Sequence, residues 1–490
     1  MPCGYWLGRL CRSEAQLPRG GRGGVRKMIY DVAIVGAGPA GIFSAMELVK
    51  QGKKVLIADK GRLIRDRQCP IVAGKVKSCL NCPSCAIVSG WGGAGSASDG
   101  KLTLTTGFGG NLEEYIGRDA LTDLITYADD AFVRFGADPH CYEAEGSFAR
   151  EVIRVGARKG LRVLPARIRH IGTDASREVL NAMYEDLAPR CDIRMNAPVE
   201  DLLIENGHAV GLRFQDGSEV RSHCVLVAPG REGASWLEGL IGRLKLPIAS
   251  MPVDIGVRVE VPDSVCETLT REFYEVKTLY NTPTFDDRCR TFCMNPSGFV
   301  VPEYNKSHDL VTVNGHSLKN KKSHNTNFAV LVTKNFTEPF NDPIGYATHI
   351  AKLANMLAGG GLLVQRLADL RTGRRSNASR IRRGMVEPTA AAEPGDLSLV
   401  LPHRYVTDIV EFLDALGEIL PGVNHGDTLL YGVEIKLYSL RLELAKDLAV
   451  PSVEGLWMAG DGAGVSRGII QAAASGVVAA RSMASSLSLR

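Results

Sequence analysis

The sequence predicts an α/β fold in which a parallel-sheet domain is interrupted by a second, α+β domain, and three observations carry that expectation. A buried-strand run, Asp31-Val-Ala-Ile-Val35, leads into Gly36-Ala-Gly38-Pro39-Ala40-Gly41 and an apolar-periodic helix through Lys50. Near the C-terminus an apolar strand ends in Gly460-Asp461, and a helix rich in small residues follows from residue 468 to 484. Residues 231–450 hold no further glycine turn in strand-turn-helix context, yet carry strand and helix patterns of their own. With 490 residues, 45% hydrophobic and 23% charged, the chain can bury more than one core and is neither disordered nor fibrous. No stretch approaches the ~18 strongly apolar residues of a membrane span.

Residues 1–27 precede the first strand. Arg9, Arg12, Arg19, Arg22, Arg26 and Lys27 against Glu14 account for the whole net charge of +4, so the rest of the chain is close to neutral. Bulk charge therefore gives no reason to expect nucleic acid or an anionic membrane as the main partner. The segment reads as a disordered tail, an organelle presequence or an ordered arm. It lacks the apolar run of a secretory signal, so the chain is expected in the cytoplasm unless residues 1–27 direct it to an organelle. The twelve Cys then read as thiols or ligands, not as a disulfide framework.

The expected organisation is a nucleotide-binding domain over 28–250, a substrate or cap domain over 251–450, and a return to the first domain over 451–490. The first part includes a cysteine cluster at 69–85 and a helical insertion at 110–165. Gly36-x-Gly38-x-x-Gly41 sits in the context of a Rossmann-type dinucleotide-binding turn. Gly36 makes the tight turn, Gly38 admits a pyrophosphate close to the backbone, Gly41 brings helix against strand, and the helix N-terminus offers N–H groups to anionic oxygens. Asp59, with Lys60 beside it, ends the second strand and would accept from a ribose diol. Strands at 199–204, 209–214 and 223–228, turning at Asn206-Gly207 and Asp216-Gly217, form a β-meander closed by Ala228-Pro229-Gly230. Farther along, 254–261 and 327–333 read as strands and 343–357 as a helix. Leu121, Leu124, Ile125, Ala128, Phe132 and Phe135 give one apolar face to a helix over 111–136.

The block Gly460-Asp461 with Gly468 and Ile469 resembles the C-terminal flavin signature of FAD flavoproteins related to glutathione reductase. That resemblance implies FAD, with Asp461 holding the ribityl and pyrophosphate part and the following helix N-terminus facing the pyrimidine side of the flavin. The meander, from Val199 to Ala228 and Gly230, occupies the place of the hairpin in the same proteins, although Pro229 stands where they carry a Thr hydroxyl. From Met28 onward the chain is similar to a family of FAD-dependent dehydrogenases largely without assigned substrates. The residues that carry this are Gly90-Trp-Gly-Gly93-Ala94-Gly95 with Ser98-Asp99-Gly-Lys-Leu102, the strand 254–260, Thr291-Phe-Cys-Met-Asn-Pro-Ser-Gly298, Asn314-Gly-His316, Asn327-Phe-Ala329 and Gly432-Val-Glu-Ile-Lys436. The resemblance places Gly93 to Gly95, Ser98 and Asp99 beside the isoalloxazine. It implies an oxidoreductase exchanging a hydride or two electrons with a small organic substrate under the middle domain.

Within that family-like frame His316 is the candidate proton acceptor or donor, Cys293 a candidate for facing the flavin, and Lys436 a third candidate. Lys436 and Glu434 also fit a salt-bridged surface pair along a strand. Cys69, Cys79, Cys82 and Cys85 fall within 17 residues and could converge on a 4Fe-4S cluster, on zinc or into a redox-active dithiol, or be unrelated thiols. An iron-sulfur cluster would relay electrons to a ferredoxin-like carrier, in keeping with the missing nicotinamide domain; a nicotinamide is the other electron partner. Six Arg without an acid lie between residues 371 and 383, readable as a solvated loop, an anion clamp or a nucleic-acid contact. The rivals are accordingly a tRNA-modifying flavoenzyme, a non-catalytic electron-transfer flavoprotein and a zinc-stabilised scaffold.

Overall fold

The computed structural model describes residues 29–489, except 71, 77–79, 81, 98–99, 144–145, 250–251, 306–307, 318–320, 338, 341 and 437–440. Cys79, Ser98, Asp99 and the segment 1–27 lie outside the described residues.

The first sheet has the spatial order Asp192–Arg194, Val55–Ala58, Ile29–Val35, Glu219–Val227, His208–Phe214, Val199–Glu205. Its first four strands are parallel, and the last two are the antiparallel meander. Strand Glu219–Val227 divides its outer edge: residues 219–221 pair with His208–Phe214, while residues 225–227 pair in parallel with Leu456–Met458. The C-terminal return thus slots in where the meander diverges. Parallel strands covered on both faces read as continuous apolar runs, and Val32 to Ile34 and Val55 to Ala58 are buried accordingly. Helix Pro39–Lys50 begins with Pro at its first turn, where the missing N–H costs nothing. It packs against the long helix Ile469–Ser488, whose small residues permit a close crossing: a Cβ on Gly476 would lie 2.0 Å from the Ala40 carbonyl oxygen.

The second sheet has eight strands in the order Glu393–Pro394, Leu363–Arg366, Leu429–Lys436, Val253–Pro262, Asn325–Lys334, Arg288–Asn295, Lys277–Asn281, Arg162–Leu164. Its central strands are antiparallel, and helices Asp263–Phe273, Pro343–Leu357 and His403–Leu416 contribute apolar side chains to a separate core. An α/β Rossmann-type domain with an inserted α+β domain is the architecture observed. The helix expected over 111–136 is broken into Glu113–Ile116 and Arg118–Arg134, because Gly117 adopts φ +81° between them.

Candidate active site

The carboxyl ends of four parallel strands form one rim. Gly36 N donates to Ala58 O at 2.8 Å, Ala228 N to Val35 O at 2.8 Å and Ala459 N to Val227 O at 3.1 Å. Ligands of open parallel sheets bind in the crevice outside such ends. Gly36 holds φ +104°, and a Cβ there would sit 2.1 Å from the Ala228 carbonyl oxygen, so only glycine lets the turn pass beneath the meander's end. Gly41 is pressed against the Gly36 carbonyl in the same way, whereas the nearest atom to a Cβ on Gly38 would be Gly93 Cα at 4.0 Å. Open space therefore lies over Gly38.

Two helices aim their N-termini at this crevice. Neither Pro39–Lys50 nor Ile469–Ser488 has a side-chain cap, which leaves first-turn N–H groups available to an anion. Gly95 ties the two together: a Cβ on it would lie 3.5 Å from Ile469 and 3.8 Å from Pro39. Asp59 is committed more heavily than its sequence position suggests, since its carboxylate accepts from Ala37 N at 2.9 Å and Gly61 N at 2.7 Å. It pins the glycine turn, and Lys60 beside it pairs with Glu232 at 3.5 Å. At the other end, Gly462 packs against Gly230, and Arg231 stands 3.7 Å from the Asp461 carboxylate. Burial raises the Asp461 pKa, with Arg231 and the Ser466 hydroxyl, donating at 2.6 Å, working against the rise.

Arg67 was not legible as a site residue. Its buried guanidinium donates to four carbonyls, those of Ala86, Ile87, Trp91 and Gly93, at 2.7 to 2.9 Å. It gathers the segment that follows the cysteines into the shape in which Gly93 meets Gly38. Burial lowers its pKa to about 10. Trp91, fully buried, anchors the same loop by donating Nε1–H to Leu180 O at 2.7 Å.

The wall between this crevice and the inserted domain is the stretch 108–111. Gln471 of the C-terminal helix donates to Phe108 O at 3.4 Å and Arg467 N to Gly109 O at 2.8 Å, while Gln471 Oε1 is buried without a hydrogen-bond partner among the described residues. Across the wall the family-like blocks converge on one buried group. The Arg258 guanidinium, wholly buried, pairs bidentately with Glu434 at 2.7 and 2.8 Å and donates to Cys293 O, Asn327 Oδ1 and Asn314 Oδ1 at 2.9 to 3.3 Å. Beside it, Lys277 reaches Glu275 at 2.5 Å, and Lys101 reaches Glu275 at 3.4 Å and Met294 O at 3.0 Å. Burial by itself would raise the Glu275 pKa, but Lys101 and Lys277 bring it down to about 2. The Lys277 pKa is lowered by burial, against the pull of Glu275. Its Nζ lies 4.6 Å from the Phe292 ring centre and 5.3 Å from that of Phe108, so it spans the two domains.

Of the three catalytic candidates, two belong to this cluster. Cys293 sits at a register shift of strand Arg288–Asn295 with φ +46°, a bulge that re-aims Phe292 and Cys293 relative to the ladder. Lys436 lies 3.0 Å from Glu434 and 5.4 Å from the Phe292 ring centre. The Lys436–Glu434 pair exists, but Glu434 is wholly buried, which corrects the surface-pair reading: the strand runs through the middle of a sheet covered on both faces. His316 pairs through its backbone with Phe299 in a separate two-stranded ribbon, and among the described residues no hydrogen bond or ion pair joins its imidazole to the cluster. Cys69, Cys82 and Cys85 are half-buried, and among the described residues no three potential ligands gather as a metal site. In the arginine run, Arg374 and Arg380 share Asp369, Arg375 pairs with Glu393 and Arg371 with Asp414. Four of the six are thus tied to three carboxylates, which offsets half of the charge an anion clamp would draw on.

Residues 29–65 match the model of an FAD binding domain, and residues 252–437 match that of an FAD-dependent protein, C-terminal domain-like. Together with the crevice, these matches define the chain as an FAD-dependent oxidoreductase. Over those two segments it is similar to an FAD-binding family with diverse, largely unassigned substrates. An uncharacterized protein of Clostridium beijerinckii is 26% identical over 467 residues, covering 91% of this chain and 79% of that one. Among solved structures, glycine oxidase from Bacillus cereus is 16% identical over 93% of this chain and 95% of its own, with a TM-score of 0.36. L-proline dehydrogenase from P. horikoshii is 12% identical over 92% of each chain, with a TM-score of 0.38. Similarity of that order assigns no substrate. Among the described residues no helix is long and apolar enough to cross a membrane.

Proposed function

We propose that this chain exchanges a hydride, or two electrons, with an organic substrate bound where the inserted domain meets the flavin crevice. The observation that carries the reading is the path from the uncapped N-terminus of helix Ile469–Ser488 through Phe108 to the buried Lys277 and the half-buried Cys293 and Lys436. FAD, when bound, supplies the electron-pair chemistry. Gly36, Gly38, Ala40 and Gly41 would hold its pyrophosphate, Asp59, Lys60 and Val199 its nucleoside end, Gly460 and Asp461 its ribityl chain. Gly93 to Gly95, Ala228, Gly230, Gly468 and Ile469 would line the rest. Phe108 and Phe292 exclude water from the reacting face, Lys277 holds a positive charge there against Glu275, and His316 remains the candidate proton acceptor or donor.

The β-meander and the Gly460-Asp461 turn support a glutathione-reductase-like placement within the flavoproteins. Cysteines 69, 79, 82 and 85 lead directly into the Arg67-held loop, which supports a role for them close to the flavin, as cluster ligands with a ferredoxin-like partner or as a dithiol. One experiment addresses the cofactors together: an anaerobic absorbance spectrum of freshly purified protein with iron, zinc and acid-labile sulfide measured on the same sample. Flavin near one equivalent is expected. Iron near four equivalents with matching sulfide supports the cluster, and flavin without iron or zinc leaves the dithiol. A chain that takes up no FAD on reconstitution refutes the proposal.

A further inference from the structure

Resting on that flavin reading, we infer that the substrate is an organic acid, held by its carboxylate between Lys277 and Lys436 at the junction of the two domains. Three cations from three strands surround the Phe292 ring: Lys277 at 4.6 Å, Arg290 at 4.7 Å and Lys436 at 5.4 Å from its centre. Each is tethered by a carboxylate, Lys277 by Glu275 at 2.5 Å, Arg290 by Asp254 at 2.5 Å and Lys436 by Glu434 at 3.0 Å, so all three are held in fixed places. Glu275 also serves Lys101, and Glu434 also serves Arg258. An ammonium carries three donors, and the one polar partner of the Lys277 ammonium among the described residues is Glu275. Its other neighbours are the rings of Phe108 and Phe292, which are weak acceptors. A buried cation with donors to spare, between two aromatic rings, matches a carboxylate on a flat or apolar body. Phosphate is the rival anion, and the titration tells the two apart. The arrangement orients the acid: Phe108 touches the helix N-terminus that faces the crevice, so the carboxylate end lies toward Lys436 and the carbon to be oxidised or reduced toward Phe108.

The test is a titration of the bound flavin's absorbance in the full-length holoprotein at constant ionic strength. The probes are benzoate, its neutral isostere benzamide, and inorganic phosphate. Benzoate is expected to perturb the flavin saturably, with half-saturation at least tenfold below that of benzamide and of phosphate. Lys277→Met and Lys436→Met should each raise the benzoate value at least tenfold while flavin content stays at the parent level. Should Lys277→Met fail to retain flavin, Lys436→Met, altered at a side chain that is 12% exposed, decides the matter. Benzamide or phosphate binding as tightly as benzoate, or an unchanged benzoate value in Lys436→Met, overturns the inference while leaving the flavin reading intact. A protein showing no flavin bands after reconstitution overturns both, and is told apart by that absence.

Discussion

At the nucleotide crevice the recognising groups belong to the main chain: strand ends, two uncapped helix N-termini and glycines that let backbones touch. At the junction with the inserted domain they are long charged side chains, Arg258, Lys277, Glu275, Glu434 and Lys436, drawn from three strands and an adjoining loop and buried almost entirely. The difference matters because the two regions respond oppositely to substitution. A backbone site fails when a side chain is added, through steric clash. A buried charge network fails when one partner is taken away, because the remaining charge stays desolvated without compensation.

The largest effect expected from this contrast is at Glu434. Glu434→Ala strands Arg258 and Lys436, and removal of one partner of a buried pair costs about 3–5 kcal/mol. Urea unfolding should show that loss, and unfolding followed by flavin release should show the inserted domain giving way first. In the opposite region, Gly36→Ala forces a Cβ onto the Ala228 carbonyl at an unfavourable φ, with a penalty of about 3 kcal/mol. Loss of bound FAD measured by absorbance should exceed the loss of secondary structure seen by circular dichroism. Equal losses would remove the distinction between the two regions.

The acid limb of stability sharpens the comparison further. Glu275 has its folded-state pKa depressed from 4.5 to about 2, so its contribution is complete above the unfolded value and is lost as pH falls toward 2. A shift of that size corresponds to roughly 3 kcal/mol. Glu275→Gln should flatten the unfolding free energy between about pH 4.5 and 2 relative to the parent, provided denaturant melts are compared at matched ionic strength. The smallest effect is expected at the exposed arginine run: Arg375→Ala breaks a pair with Glu393 in which both side chains are more than half exposed, and stability should change by less than about 1 kcal/mol. Flavin content and substrate turnover should stay at parental levels, and a gel-shift assay should show no RNA affinity to lose.

Much of the backbone region was legible in advance. The strand at 31–35, the helix after Gly36, the meander and the Gly460-Asp461 turn are local patterns of period two or 3.6 punctuated by glycine. They appear as Ile29–Val35, Pro39–Lys50, Val199–Glu205 with its partners, and the return strand Leu456–Met458. The helix at Pro343–Leu357 was equally clear from its Pro start and triple-glycine end. The charged junction was only half visible. Thr291 to Gly298, Asn314 to His316, Asn327 to Ala329 and Gly432 to Lys436 stood out as blocks, but nothing in their spacing said that Arg258 binds all four together. Lys277 and Glu275 carried no motif at all, and Arg67 looked like one more surface arginine. His316 drew attention because imidazoles titrate near neutrality; its neighbours Asn314 and Gly315 abut Arg258, and its own backbone pairs with Phe299.

Local pattern alone was enough to point to a dinucleotide-binding glycine turn, its returning C-terminal strand and the interruption between them, since main-chain recognition is encoded within a few consecutive residues, whereas FAD came from the family resemblance. Which charged side chains share a carboxylate depends on strands up to 176 positions apart, the separation of Arg258 and Glu434, meeting in one sheet. Only the folded chain brings them together, because burial is what makes such a pairing obligatory: in water each of these groups would be content with solvent, and inside the sheet each must find the other.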